Sequence, residues 1–271
     1  MKNRAAQILV VVLGTFLLVM LSGYAYVEYD VNAGTNSADL TNIEIDANGQ
    51  TINAYLAEPE GEGPFPAVMM IHEWWGLRPE IITKADALAD EGYVVLAVDA
   101  YRGRVTNSVP GALYMNLTYP EPDINADMDA FFDYLTGLET VNPAQVGIMG
   151  FCFGGRQSVV VGLRHADEIA GILTYYGGNQ PGTEDALSPL AGTSTAVLGI
   201  FGAEDATISL ETVDQFEASL QALKIPSEIT VYDGVGHAFV QDITEAGPSR
   251  DAWLQGVAFL NANVRGDDLV E

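Results

Sequence analysis

The sequence predicts an α/β fold, a mostly parallel central sheet with helices on both faces, in a single domain. Three observations carry this. Short apolar runs alternate with segments of helical period, the pattern of βαβ units. Two of those runs, Ala67–Ile71 and Tyr93–Val98, are apolar at nearly every position, as strands covered on both faces are. A third, Gln145–Met149, turns through Gly150-Phe-Cys-Phe-Gly154 into a proline-free helical stretch, Gly155–Arg164.

In chain order, Thr41–Ile45 alternates like a half-buried strand, Asn48-Gly49 makes a tight turn, and Thr51–Leu56 returns as a hairpin. Gly61–Pro66 is a loop. After the strand Ala67–Ile71, Glu80–Glu91 sets Ile81, Ile82, Ala85, Leu88 and Ala89 on one helical stripe that Gly92 ends. Asp99–Pro122 shows no period and reads as irregular. Ile124–Leu138 is a helix carrying Met128, Phe131, Phe132 and Leu135. Beyond the Cys152 segment come a strand at Ile169–Tyr175, a loop at Gly177–Thr195 and a strand at Ala196–Phe201. A helix at Ser209–Leu223, a strand at Ser227–Tyr232 and a helix at Ser249–Val264 close the chain. No internal linker divides residues 40–271, which read as one domain.

Composition excludes some partners. With 37 acidic against 11 basic residues the net charge is −26, which repels nucleic acid and anionic membrane surfaces. Such a lysine-poor, acid-rich surface suits high salt. At the N-terminus Lys2 and Arg4 precede the apolar run Ile8–Leu21. A cleaved signal peptide would use Gly23 and Ala25 around its cleavage site. An uncleaved anchor would use about 20 residues from Ala5 as one membrane span. Either reading exports the domain and sets residues 1–26 apart, with residues 27–39 as a polar linker.

The chemistry gathers at strand ends. In open parallel sheets the reacting groups lie beyond the carboxyl ends of the strands. Glu73, Cys152, Asp205 and His237 each follow a predicted strand. A free cysteine is most often a small buried hydrophobe. The flanking glycines and the strand-to-helix context point instead to a nucleophile elbow, in which a strained turn exposes the central side chain. Cys152, the chain's one cysteine, has no disulfide partner. The order nucleophile, acid, histidine is that of α/β-hydrolases. His237, in a glycine-rich loop, suits the imidazole role better than His72, beside Glu73, or His165, at the end of the elbow helix. Strand-end position favours Asp205 over Glu204 and Asp233. His72-Glu73 is no zinc-protease motif, because Gly76 stands where the second histidine is needed. No dinucleotide or P-loop fingerprint occurs.

Four segments, I-H-E-W-W-G-L (Ile71–Leu77), G-F-C-F-G-G (Gly150–Gly155), F-G-A-E-D (Phe201–Asp205) and G-H-A-F (Gly236–Phe239), resemble the dienelactone hydrolase family, with the likeness running from Leu40 to Val264. The resemblance implies an α/β-hydrolase fold without a large cap, needing no metal or cofactor. It implies a Cys152, His237, Asp205 triad acting on a small ester or lactone through a thioester, with Glu73 regulating the thiol. Backbone N–H groups of Trp74 and Phe153 would form the oxyanion hole. Trp75 would line the substrate site. The family holds a substrate carboxylate with two arginines. Arg104 or Arg102 matches the first, and the motif Y-x-G-R favours Arg104. The second position, four beyond His237, holds Gln241, which cannot form a charged fork with a carboxylate. Two other classes fit less of the sequence: a non-catalytic relative, which needs none of the three triad groups, and a thiol redox sensor built on Cys152.

Overall fold

The computed structural model describes residues 2–33, 36–47 and 49–266. Among them, eight strands form one sheet in the order β1-β2-β4-β3-β5-β6-β7-β8. These are β1 (Ile43–Ala47), β2 (Gln50–Ala57), β3 (Phe65–Ile71), β4 (Val94–Val98), β5 (Val141–Phe151), β6 (Gly171–Tyr175), β7 (Ala196–Gly202) and β8 (Ser227–Tyr232). β1, β2 and β4 pair antiparallel, and every pairing from β4 across to β8 is parallel. The predicted parallel sheet is present, with the hairpin as its antiparallel edge. Gly49 takes φ +77° at the hairpin turn; its partner Asn48 lies outside the described residues.

The helices are α1 (Lys2–Ala33), α2 (Pro79–Asp90), α3 (Val109–Thr118), α4 (Glu121–Thr136), α5 (Phe153–Arg164), α6 (Glu184–Leu187), α7 (Leu210–Ala222) and α8 (Pro248–Leu260). β6 shows how both sheet faces are covered. Gly171 lies under Phe259 and Val264, while its neighbour Ile172 packs into Gly162 of α5. Successive strand residues face opposite ways, so α8 and α5 cover opposite faces. That two-sided cover is why β3, β4 and β7 carry apolar residues in unbroken runs and are almost wholly buried.

The structure differs from expectation in three segments. Residues 99–122, expected to be irregular, contain α3 and the start of α4. Of their three prolines, Pro110 and Pro122 sit in first turns, where a missing N–H costs nothing, and Pro120 precedes α4 at its N-cap, while Ser108 caps α3 by accepting from the Gly111 N–H. Residues 177–195 include α6 and a short 3₁₀ turn, Ser188–Leu190. Residues 27–33, expected to be linker, continue α1, and beyond them Ser37 is buried, its hydroxyl donating to Asp99 at 2.5 Å. Polar side chains that suggest a solvated tether thus serve as docking groups.

The joint between β5 and α5 positions everything that follows. Cys152 has φ +54° and ψ −109°, strained for a residue with a Cβ. Its N–H donates to the Tyr175 carbonyl at 3.0 Å, tying the turn to β6. Gly154 crosses the end of β3 so closely that a Cβ would lie 2.1 Å from the Ile71 carbonyl oxygen and 2.6 Å from that of His72. Those obstacles are backbone and cannot swing aside. Gly154→Ala is therefore expected to cost about 2–3 kcal/mol and to lower the melting temperature by roughly 5–10 °C. Gly182→Ala, whose Cβ would meet nothing nearer than 3.6 Å, serves as control. Equal melting temperatures for the two variants would show that the turn is not held as tightly as described.

Candidate active site

Cys152, Asp205 and His237 come from three separate strand-end loops and meet in one hydrogen-bonded line. His237 Nε2 lies 3.0 Å from Cys152 Sγ, and His237 Nδ1 lies 2.6 Å from Asp205 Oδ2. The Asp205 carboxylate is 1% exposed and is held independently of the histidine. Its other oxygen accepts from the Thr207 N–H and hydroxyl, both at 2.7 Å, and from the Ile208 N–H at 3.0 Å. Burial opposes its ionisation, but the bonds from Thr207 and His237 outweigh burial and hold the carboxyl below the usual range. With an ionised acceptor at Nδ1, the neutral imidazole carries its proton there and offers Nε2 to the thiol as a base.

The other two histidines are engaged elsewhere. His165 lies against the Phe132 ring at 4.0 Å and bonds Asp129 and Glu168. His72 is fully buried, accepts from the Ala100 N–H at Nε2 and faces the Glu73 carbonyl at 2.6 Å with Nδ1. Burial lowers its pKa, so it is a neutral brace between the ends of β3 and β4.

The surroundings of the thiol pull in two directions. Burial, then the nearby Glu73 carboxylate, push its pKa up, to about 12. The backbone N–H groups of Phe153 and Trp74 act the other way by donating to the sulfur. Burial and the Glu73 charge thus favour the neutral thiol, whereas a cysteine beside an imidazole alone would be partly ionised near neutral pH.

Glu73 sits between two cavities. Burial raises its pKa, against the opposing charge of Lys84 and a bond from Gln241 Nε2 to Oε1 at 3.3 Å. Lys84 is the residue that sequence reading missed. It is 3% exposed, donates from Nζ to the Gln241 carbonyl at 3.2 Å and lies 5.3 Å from the centroid of the Phe151 ring. Burial lowers its pKa, while Glu73, Glu80 and Asp242 raise it. The signal was present: Lys84 is three residues after Ile81 and four before Leu88, on the apolar stripe of α2 where a cation has no reason to be unless it has a buried partner.

The larger cavity, of ≈590 Å³, exposes Cys152 and His237 on one wall and Trp74, Trp75 and Tyr119 on others. Its cation is Arg156, from the first turn of α5, which donates to Glu121 at 2.7 Å and to the Asn179 carbonyl. Arg104 and Arg102, expected at this wall, do not line it. Arg102 forks onto Asp127 at 2.8 and 2.7 Å and bonds Gln50. Both guanidiniums lie over the Tyr119 ring, 5.6 and 5.7 Å from its centroid, and Tyr119 lines the cavity where they do not. Gln241 faces a second cavity of ≈290 Å³, shared with Lys84 and Glu73. Among the described residues no cluster of His, Cys, Asp and Glu has the form of a metal site.

Residues 52–264 match the Dienelactone hydrolase family. A Methylorubrum extorquens protein named "Putative carboxymethylenebutenolidase" is 28% identical over 254 residues, 86% of this chain and 87% of its own. A Bradyrhizobium protein named "Probable 2-oxo-3-(5-oxofuran-2-ylidene)propanoate lactonase" is 26% identical, over 83% of this chain and 94% of its own. The crystal structure of a dienelactone hydrolase-like promiscuous phosphotriesterase from metagenomic libraries superposes with a TM-score of 0.73 at 20% identity, covering 82% of this chain and 96% of that one.

If Glu73 holds the thiol neutral, removing its charge frees the thiolate. Glu73→Gln is expected to speed iodoacetamide alkylation of Cys152 at pH 8 by about tenfold, the effect of one pKa unit. An unchanged or slower rate would mean that Glu73 does not set the ionisation of this thiol.

Proposed function

The chain belongs to the dienelactone hydrolase family and is an ester or lactone hydrolase, and we propose that it acts by a Cys152–His237–Asp205 triad through a thioester. The observation that carries this reading is the continuous line from Asp205 Oδ2 through the imidazole to Sγ, at 2.6 and 3.0 Å. In the first step the thiol proton passes to His237 Nε2 as sulfur attacks the substrate carbonyl carbon. The new oxyanion accepts from the Phe153 and Trp74 N–H groups, which the sulfur no longer needs. Asp205 stabilises the imidazolium, which then gives its proton to the departing oxygen as the C–O bond breaks. The thioester remains, with an alcohol released or, from a lactone, the ring opened. Water, deprotonated at Nε2, attacks the thioester. The acid leaves, and sulfur regains its proton from the imidazolium.

Glu73 has two parts in this scheme. Its charge keeps the thiol protonated at rest, and the same charge favours the imidazolium once the proton has moved. Lys84 and Gln241 hold that carboxylate from the second cavity. In the substrate cavity two carboxylates, Glu73 and Glu121, face one guanidinium, Arg156. This balance favours uncharged substrates over carboxylated ones such as the lactone in the name of the Bradyrhizobium relative.

We assign residues 1–26 to an N-terminal membrane anchor and residues 40–271 to one catalytic domain, exported with the anchor retained. α1 runs unbroken through the possible cleavage site at Gly23–Ala25, and its stretch Val12–Val31 is long and apolar enough to span a bilayer. Tyr24, just before that site, meets Tyr114 of the domain edge to face at 6.1 Å.

Two measurements test the catalytic reading. Cys152→Ala is expected to lower kcat/KM for p-nitrophenyl acetate by several powers of ten, while wild type mixed with a slow ester should show an acyl group on Cys152 by mass spectrometry. Retention of most activity in Cys152→Ala would end the triad reading. Glu121→Gln, which releases Arg156, is expected to raise kcat/KM for a carboxylated lactone by roughly tenfold, as one charge-assisted hydrogen bond gained would. Turnover of its methyl ester should not change. An equal effect on both substrates would show that Arg156 does not meet the substrate carboxylate.

A further inference from the structure

On a chain of net charge −26, α3 carries no charged side chain. Three large apolar residues are exposed on it, Val109 at 58%, Leu113 at 49% and Leu117 at 73%, flanked by the exposed polar residues Asn116 and Thr118. At 100° per residue these three fall within one 80° stripe. To one side of the stripe lies Tyr114, which faces α1. To the other lies Asn116, which lines the ≈590 Å³ cavity together with Tyr119. Gly111, Ala112 and Met115 fill the buried side. The stripe therefore runs between the N-terminal helix and the substrate cavity.

The contacts of α1 fix the level at which α3 sits. Tyr114 packs against Tyr24 and bonds Glu28, and Asp30 accepts from the Thr106 and Ser108 hydroxyls at 2.5 and 2.7 Å. Glu28 and Asp30, inside the stretch Val12–Val31, are bonded to the domain, so the span is taken as about 20 residues from Ala5, ending at Tyr24. There the helix surface changes from aliphatic to aromatic, with Tyr24, Tyr26 and Tyr29 all more than half exposed. Tyrosines gather where a helix leaves the hydrocarbon. The contact from Tyr24 to Tyr114 thus sets α3 at the water interface of the same bilayer.

We propose that α3 docks in the membrane interface through Val109, Leu113 and Leu117, so that the cavity mouth opens at the lipid surface and draws esters dissolved in the bilayer. The inference rests on α1 being a retained anchor and, for its substrate half, on the hydrolase reading. Docking is apolar in kind, because the acidic surface is repelled by anionic lipid. A neutral phosphatidylcholine membrane is accordingly the fitting partner.

The test uses the full chain in phosphatidylcholine vesicles. Flotation with the vesicles reports the anchor. In Leu117→Trp, the fluorescence added over wild type should be quenched by phosphatidylcholine brominated high in its acyl chains. In V109N/L113N/L117N, kcat/KM for a long-chain ester held in the vesicles should fall about tenfold, equivalent to ~1.4 kcal/mol, with soluble acetate ester turnover unchanged. Should that variant lose both activities, Leu117→Asn alone decides by the same ratio. Flotation without quenching, whether α3 is then bare or crosslinks to a second copy, overturns the docking and leaves the anchor standing. No flotation overturns both. Quenching with no turnover of either ester by wild type supports the docking and counts against the hydrolase reading alone.

Discussion

The structure depends on one crowded point, the crossing of the Cys152 turn over the carboxyl end of β3. A non-glycine residue held at φ +54° costs on the order of 1–3 kcal/mol. The cost is sustained because the turn cannot relax: the Cys152 N–H is bound to β6, and Gly154 lies against the carbonyls of Ile71 and His72. What results is a side chain projected from the end of β5 between two neighbouring strands. The backbone N–H groups of Phe153 and Trp74 both favour negative charge on that side chain. Fold and chemistry share this joint, so a change that eases the turn also unmakes the site.

Around the thiol, burial and the Glu73 charge win over the two N–H donors. With a pKa pushed up to about 12, forming the free thiolate at pH 7 costs on the order of 7 kcal/mol. A waiting thiolate is then a poor description of the nucleophile. In the proposed mechanism proton transfer to His237 accompanies attack, and a protonated sulfur reacts slowly with alkylating and oxidising agents, which attack the thiolate. The arrangement works against the redox-sensor class, which needs an exposed, acidic thiol. Glu73 itself stays ionisable because Lys84 lies behind it. A buried ammonium is an unusual support, and its place on α2 puts it on the far side of the carboxylate from the substrate.

Much of this was legible in the residues, and the rest was hidden for identifiable reasons. Cys152, Asp205 and His237 each stand just after an apolar run, so strand-end logic brings them together without any knowledge of distances. The elbow glycines announce their own crowding. By contrast, the cavity's arginine depends on how α5 is turned about its axis, which spacing alone does not state. Local motif drew attention to Arg104 and Arg102, whereas packing forks Arg102 onto Asp127 and sets both guanidiniums over the Tyr119 ring. α3 was obscured by its proline and its lack of polar alternation. Both features fit a helix that begins at a serine cap and leaves an apolar stripe uncovered. Residues 27–39 looked like a tether because many of their side chains are polar, whereas Glu28, Asp30 and Ser37 among them make contacts that hold α1 and the segment after it to the domain.

The central claim, that the resting site holds a neutral thiol and moves its proton only with attack, can be read directly from the ultraviolet absorbance of the thiolate. The titration would compare wild type with Cys152→Ser as the blank, which isolates the single cysteine. The account predicts no thiolate step between pH 6 and pH 9, with absorbance rising only in more alkaline solution, toward the pKa of about 12. A full step centred below pH 7 would show a preformed thiolate–imidazolium pair and contradict the account.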